Sequence, residues 1–344
     1  MHGGQLRVLE IFGDSNDLGR SHGLECRDMI RAYLEDRIGL STQERWSGQT
    51  VDRDLILACA TDTLEAHERY SPTLFSEMTA MARAAGISNE EAVVVGGFTD
   101  LVDVVRSRVG AAPTEDNCTA VINPGKGYLA QTWDMHASAG EYVIMLKLDP
   151  LMGPAVIVQT TAGCLGQMGM NEAGIGIGIN NLTSYGRPGV TWPFVVRKVL
   201  EQTDLDTAVS VVLDADLAGG HNFLVMGPDG VGANIEAMPS HKRVTKVTDE
   251  PFVHTNHCLD SGTSDEEAAR LEASIISSDK RLEIGYETAD DLDAFFADPW
   301  ISRRVVDQPH EVATCGAVVI EPGRRTMRST WGVPGDNPWE NFRL

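Results

Sequence analysis

Residues 114–135 read TEDNCTAVINPGKGYLAQTWDM. Cys118 stands at the junction between a small, polar, Pro-containing stretch and a run that reads as a strand. If the backbone breaks before it, Cys118 becomes an N-terminal residue, with a thiol and a free α-amine on one carbon. An α-amine titrates near pH 8, so it can take the thiol proton and serve as the general base; no histidine is required. The break can be self-inflicted. The Cys118 thiol can attack the carbonyl of Asn117, and water can hydrolyse the resulting thioester. An asparagine before the nucleophile also opens a second route, because its side-chain nitrogen can cyclise onto its own carbonyl and release the next residue.

Most other reactive side chains have blander readings. The six cysteines are scattered, with no CxxC pair, and such residues are by default small buried hydrophobes. His254, His257 and Cys258 invite a metal, but no second ligand pair has zinc-like spacing, so neither metal nor other cofactor is expected. Gly174, Gly176 and Gly178 alternate without a following P-loop signature and read as strand glycines that permit close backbone approach. Trp133 reads as core or substrate platform, and Arg197 as a salt-bridge partner on a helix.

The elements that must position Cys118 change in character at that residue. Before it the pattern is a strand over 6–13 and then helices over 16–39, 52–69, 73–84 and from Ser88 to about 105. Leu18, His22, Cys26, Ile30 and Leu34 share one face of the first helix. Gly86 stops the third, and Ser88 with Glu91 forms a capping box for the fourth. Residues 107–117 read as an exposed loop. After Cys118 come CTAVINP and GYLAQTWDM around a PGKG turn, then YVIMLKLDP, AVIVQTT and the glycine-rich QMGMNEAGIGIGINNLT. Helices near 192–202 and 204–214 precede a hairpin around Pro228-Asp229-Gly230 and the short strand RVTKV. Helices near 264–278 and 288–297 lead to a closing hairpin, VATCGAVVIEPGRRTMRSTWG.

With 344 residues and 42% hydrophobic content the chain can bury a large core. Its net charge of −22 argues against nucleic acid and anionic membrane surfaces as partners. No run approaches the ~18 apolar residues of a membrane span. The first residues lack the basic and apolar segments of a signal peptide, so a cytoplasmic location is expected.

Five segments in order carry a family resemblance from about residue 8 to 340. They are GDSNDLGRSHGLECRDMI, YSPTLFSEMTAMARAAGISNEEAVVVGGFTDL, NCTA followed by QTWD, GMNEAGIGIGINNLT, and HTNH at 254–257. The chain resembles the acyl-coenzyme A:6-aminopenicillanic acid acyltransferase family of autoproteolytic N-terminal-nucleophile hydrolases. That resemblance implies an α+β fold, a four-layer αββα sandwich of two antiparallel sheets, as one domain over 1–344. It implies cleavage between Asn117 and Cys118 into a helix-rich chain of residues 1–117 and a strand-rich chain of residues 118–344. Cys118 is then the nucleophile, and Asp134 orients the α-ammonium or a substrate amine. Asn256 donates to the oxyanion, with Asn222, Trp133 and His257 as further oxyanion or substrate contacts. The partner is a small-molecule amide or acyl donor, and a homo-oligomer is open. Two departures stand out. Asn117 replaces the glycine that penicillin acyltransferase has before its nucleophile. Glu311, three residues before Thr314, falls where that enzyme has an arginine, which implies a missing cation. An unprocessed thiol hydrolase, with Cys118 activated by His136 or His257, and a noncatalytic binding scaffold are the alternative readings.

Overall fold

The structure, a computed structural model, describes residues 5–112, 117–304 and 311–344. The first part of the chain runs β1 (Arg7–Gly13), α1 (Ser15–Glu25), α2 (Arg27–Ser41), α3 (Glu44–Ser47), α4 (Arg53–Thr61), α5 (Leu64–Tyr70), α6 (Pro72–Ala85), α7 (Asn89–Gly96) and α8 (Phe98–Val109). Strands then dominate: β2 (Thr119–Asn123), β3 (Tyr128–His136), β4 (Val143–Pro150), β5 (Val156–Thr161), β6 (Met168–Asn171) and β7 (Gly176–Leu182). After α9 (Trp192–Val199) and α10 (Leu205–Leu213) come β8 (Gly220–Met226), β9 (Gly232–Ala237), β10 (Lys242–Val247) and β11 (Phe252–His254). The chain closes with α11 (Ser261–Ser264), α12 (Glu272–Thr288), α13 (Leu292–Ala297), β12 (Val312–Glu321), β13 (Thr326–Trp331) and β14 (Glu340–Arg343).

Among the described residues the strands form two sheets. The larger has the order β1-β4-β5-β6-β7-β8-β9-β10, and the smaller β11-β2-β3-β12-β13-β14. They face each other through β2 and β3 against β7 and β8. Outside the larger sheet, α1 packs on β4 and α10 on β8 and β9; outside the smaller, α12 packs on β2 and β11. The fold is therefore α+β, with layers in the order αββα.

One pairing departs from the all-antiparallel expectation: β1 runs parallel to β4. The connection between them contains eight helices and a hairpin, ample for the long crossover a parallel pair needs. The first long helix is in fact two. Cys26, at φ −108° and ψ 14°, breaks it between α1 and α2. The stripe Leu18, His22, Cys26, Ile30 and Leu34 stays buried across the break, so periodicity survived where continuity did not. The predicted 52–69 helix likewise divides into α4 and α5. The one starting at Ser88 divides into α7 and α8, its capping box present, and α8 reaches into the expected loop, to Val109. The rest of that loop, 113–116, lies outside the described residues.

The helix predicted over 264–278 begins only at Glu272 and continues to Thr288. Two acids within its predicted first turn are recruited elsewhere. Glu266 accepts from the Ser240 and His241 backbone, and Glu267 from that of Cys258.

Glycine sets two close approaches. A Cβ at Gly19 would lie 2.0 Å from the Glu77 carbonyl oxygen, and one at Gly23 2.3 Å from that of Met81, so α1 and α6 meet backbone to backbone. Between the sheets, a Cβ at Gly178 would lie 2.4 Å from Gln131 Oε1. Gln131 uses that space to bond the Ile179 backbone with both ends of its amide, a side chain standing in for a neighbouring strand. Arg197 forms a buried two-point ion pair with Glu77, at 2.7 and 3.0 Å, tying α9 to α6. Among the described residues no helix is long and apolar enough to cross a membrane.

Candidate active site around Cys118

Cys118 immediately precedes β2, whose Thr119 pairs with Thr132 of β3. Strand alternation sends successive side chains to opposite faces. Val121 belongs to the apolar cluster under α12 and α13, whereas Cys118, Ala120 and Ile122 belong to the main core between the sheets. The thiol therefore faces inward, on the side that Trp133 also occupies. At 5% exposure it is closed off from solvent. Two open clefts, of about 490 and 290 Å³, lie elsewhere. One is at the β1–β4 edge beside Phe12 and Leu344, the other beside Tyr70 and Lys198.

The backbone of Cys118 is gripped at both ends. Its N–H donates to Asn256 Oδ1 at 2.7 Å, and its carbonyl accepts from the Arg281 guanidinium. Arg281 Nη2 donates to the same Asn256 Oδ1 at 2.9 Å. The result is a closed ring of Cys118, Asn256 and Arg281. Asn256 Nδ2 donates to the Asn181 carbonyl at 3.0 Å, linking the ring to the larger sheet. Half-buried Asn117 joins through its side-chain oxygen, which accepts from Ser277 at 3.3 Å and from Arg281 at 3.4 Å.

Asn256 is held by a second hub. His254, its neighbour in HTNH, places Nε2 3.0 Å from Glu236 Oε1. Glu236 also accepts from the Leu259 and Asp260 N–H groups, at 2.6 and 3.1 Å, and from the Thr263 hydroxyl. Burial raises the Glu236 carboxyl, but His254 and these donors outweigh it and hold it down at about 2. His254 is thus bonded on both ring nitrogens, to the Thr255 carbonyl and Glu236. His257 stands at Ser278 and Asp279 of α12, at 2.8 and 3.7 Å, and burial pushes it down to about 4. Of the other proposed histidine, His136, Nδ1 lies 2.8 Å from the Ser138 hydroxyl. Both Nδ1 atoms thus lie at serine hydroxyls.

Asp134 is fully buried on the outer face of β3. Thr314, its partner on β12, donates to Oδ1 at 2.6 Å, while Oδ2 has no partner. Burial pushes the carboxyl up to about 7, against the lowering effect of Thr314, Arg281 and Arg303. Arg281 is completely buried. Burial pulls it down to about 10, with Asp134 and Cys118 opposing. Positive charge does stand near Asp134 and Cys118, from Arg281 on α12, with Arg303 adding to it near Asp134. Glu311 itself only accepts, through its backbone carbonyl, from Ala137.

Opposite the thiol, Asn180 of β7 pairs with Asn222 of β8, and Asn222 with Glu236 of β9. Gly178, one inward position earlier on β7, meets Gln131. The next inward row on β3 is Trp133, so the Asn180–Asn222 row lies against the Cys118–Trp133 row. Both amides are fully buried, and neither their oxygens nor their nitrogens have a partner.

Cys118, Asn117, Asn256 and Asp134 are brought together, with Trp133 and Asn222 lining the inner side and His257 set back. Sequence reasoning missed Arg281, Ser277, Glu236 and Asn180. A signal existed for Arg281: it shares the buried stripe of α12 with Ser278, Ile284 and Gly285, an unlikely place for an arginine without a task.

Comparison with known proteins places the chain among acyltransferases. The family model described as acyl-coenzyme A:6-aminopenicillanic acid acyl-transferase matches residues 121–298. That span starts three residues after Cys118 and contains Asp134, Asn222, Asn256 and Arg281. The 40 kDa form of acyl-coenzyme A:6-aminopenicillanic-acid-acyltransferase from Emericella nidulans is 25% identical over 252 residues, 72% of this chain and 68% of that protein. Among solved structures, a mutant of conjugated bile acid hydrolase from Clostridium perfringens aligns with a TM-score of 0.47 at 10% identity, covering 66% of this chain and 92% of that one. Penicillin V acylase from Agrobacterium tumefaciens aligns with a TM-score of 0.41 at 12% identity, covering 66% and 86%.

Proposed function

The chain belongs to the acyl-coenzyme A:6-aminopenicillanic acid acyl-transferase family, and from that premise we propose that it is a self-cleaving enzyme that hydrolyses or transfers the acyl group of a small amide through Cys118. The cut falls between Asn117 and Cys118. The pieces, 1–117 and 118–344, stay together as one folded unit, because β1 of the first is hydrogen-bonded along β4 of the second.

One observation carries this reading: the 2.7 Å bond from the Cys118 N–H to Asn256 Oδ1. After the cut that nitrogen becomes the α-amine, already fixed by Asn256. It takes the thiol proton, and the sulfur attacks the substrate's acyl carbon. The oxyanion meets amide N–H groups from Asn222 and from the second Nδ2 hydrogen of Asn256, each such donor worth about 10²–10³ in rate. Collapse of the intermediate breaks the carbon–nitrogen bond, and the α-ammonium returns its proton to the leaving amine. Water then releases the acid, or a second amine takes the acyl group. Asp134 lies beside Arg281 and limits the positive charge around the α-amine. Since the Nδ1 atoms of His136 and His257 bond to serines, the free α-amine, already at the thiol's own residue, is the base we favour.

The test is a panel of small chromogenic amides and thioesters, offered with and without amine acceptors, to wild type and Cys118→Ala. Expected is an acyl adduct on the 118–344 piece of wild type and none in the variant. Turnover by Cys118→Ala contradicts the proposal.

A further inference from the structure

Arg281 and Ser277 stand one turn apart on α12, and both reach residues that flank the bond to be cut. Arg281 Nη1 donates to the Cys118 carbonyl and, at 3.1 Å, to the Thr119 hydroxyl. Nη2 donates to Asn256 Oδ1 and reaches Asn117 Oδ1 at 3.4 Å. The Ser277 hydroxyl donates to the same Asn117 oxygen at 3.3 Å, and Arg281 Nε donates to Ser277 Oγ at 3.4 Å. One helix therefore braces both residues of the Asn117–Cys118 bond.

We propose that Arg281 and Ser277 decide how this bond breaks, favouring attack by the Cys118 thiol over attack by the Asn117 side-chain nitrogen. This rests on the cleavage reading above. In the thiol route, sulfur bonds to the Asn117 carbonyl carbon and the bond to the Cys118 nitrogen breaks. The thiol proton passes to that nitrogen, which becomes the free α-amine. Water then adds to the thioester, leaving a carboxylate on Asn117 and restoring the thiol. In the competing route, Asn117 Nδ2 bonds to the same carbon and its proton goes to the departing nitrogen. No water enters, and the small piece ends in a cyclic imide, lighter by one water.

The brace acts on the two routes unequally. Attack by the thiol needs Cys118 fixed, and Arg281 fixes it at the carbonyl while Asn256 holds the N–H. Cyclisation needs the Asn117 amide to turn until Nδ2 faces its own carbonyl carbon. Two donors on Oδ1 oppose that rotation. Donation from a guanidinium also draws the nitrogen lone pair into the amide, which weakens it as a nucleophile.

The test follows the cut in time by acid-quenched intact mass after cell-free synthesis of wild type, Arg281→Gln, Arg281→Lys and Ser277→Ala. Circular dichroism reports folding. Wild type is expected to give a small piece ending in the Asn117 carboxylate. Arg281→Gln should slow the cut at least about tenfold, the value of one hydrogen bond from a charged donor, and raise the share of dehydrated small piece. Arg281→Lys should recover part of the rate. Ser277→Ala should give a smaller slowing and an intermediate dehydrated share. A folded Arg281→Gln that cuts at the wild-type rate with only carboxylate product overturns the inference. If Arg281→Gln does not fold, Ser277→Ala decides, and an unchanged product mass there overturns it. A wild type that gives mostly dehydrated product also overturns it. An uncut wild type overturns the cleavage reading, and this inference with it.

Discussion

The two faces of the β2–β3 pair differ in how the polar groups nearest Cys118 are met. On the outer face, under α12, polar groups are tied together: Thr119 and the Cys118 carbonyl to Arg281, Asp134 to Thr314. On the inner face the thiol and Trp133 look across at Asn180 and Asn222, whose amides have no partner at all. Buried polar groups are almost always hydrogen-bonded, and leaving one unmet costs about 1–3 kcal/mol. The outer face has the character of a clamp and the inner face that of a receptor waiting for hydrogen bonds. The contrast teaches where to look for each role. Positioning is to be sought in the bonded network around Arg281, and recognition in the unmet Asn180–Asn222 row.

The most severe disruption of the clamp should come from Glu236→Ala. It strips the partner from His254 and from the Leu259 and Asp260 N–H groups together, which frees Asn256. Breaking such a buried pair costs about 3 kcal/mol or more. Thermal melts should fall accordingly, and self-cleavage should be lost with them. A folded variant that still cuts shows that Asn256 is held by other means.

Asn222→Leu probes the receptor face. It replaces two unmet polar atoms with an apolar group of similar size, so stability should hold or rise. Turnover should fall by about 10²–10³ where Asn222 donates to the oxyanion. Turnover within twofold of wild type on the same substrate assigns that row to bound water instead.

Asp134→Asn sharpens the comparison through pH. Its folded pKa of about 7 stands above the ordinary 3.8, so its contribution to stability is complete below pH 4 and is lost as pH rises through 7. The asparagine keeps an acceptor for Thr314 and has no such dependence. Relative to the variant, wild type should lose on the order of 1 kcal/mol per pH unit across that window. Parallel stability curves from pH 4 to 8 refute the assignment.

Much of the clamp could be read from the chain. Cys118 and Asn117 stand in a short motif with a chemical reason attached, Asp134 and Asn256 came through the family resemblance, and CTAVINP and GYLAQTWDM were legible as strands. The layer order came from the family resemblance, whereas local pattern alone showed only that helices give way to strands at Cys118. What escaped was long-range. Arg281 meets Cys118 across 163 residues, and no local pattern records that. The start of α12 was placed too early: Glu266 and Glu267, inside the predicted first turn, bind loop backbone instead. The Asn180–Asn222 row depends on cross-strand register, which the sequence of either strand alone does not carry. The parallel β1–β4 pair escaped for the same reason.

The central claim is that Cys118 becomes an N-terminal nucleophile by its own action. Denaturing intact-mass measurement of purified wild type beside Cys118→Ala tests it most directly. Two fragments meeting between Asn117 and Cys118 in wild type, and one intact chain in the variant, are the predicted result. A single mass of 37.3 kDa from folded wild type contradicts it.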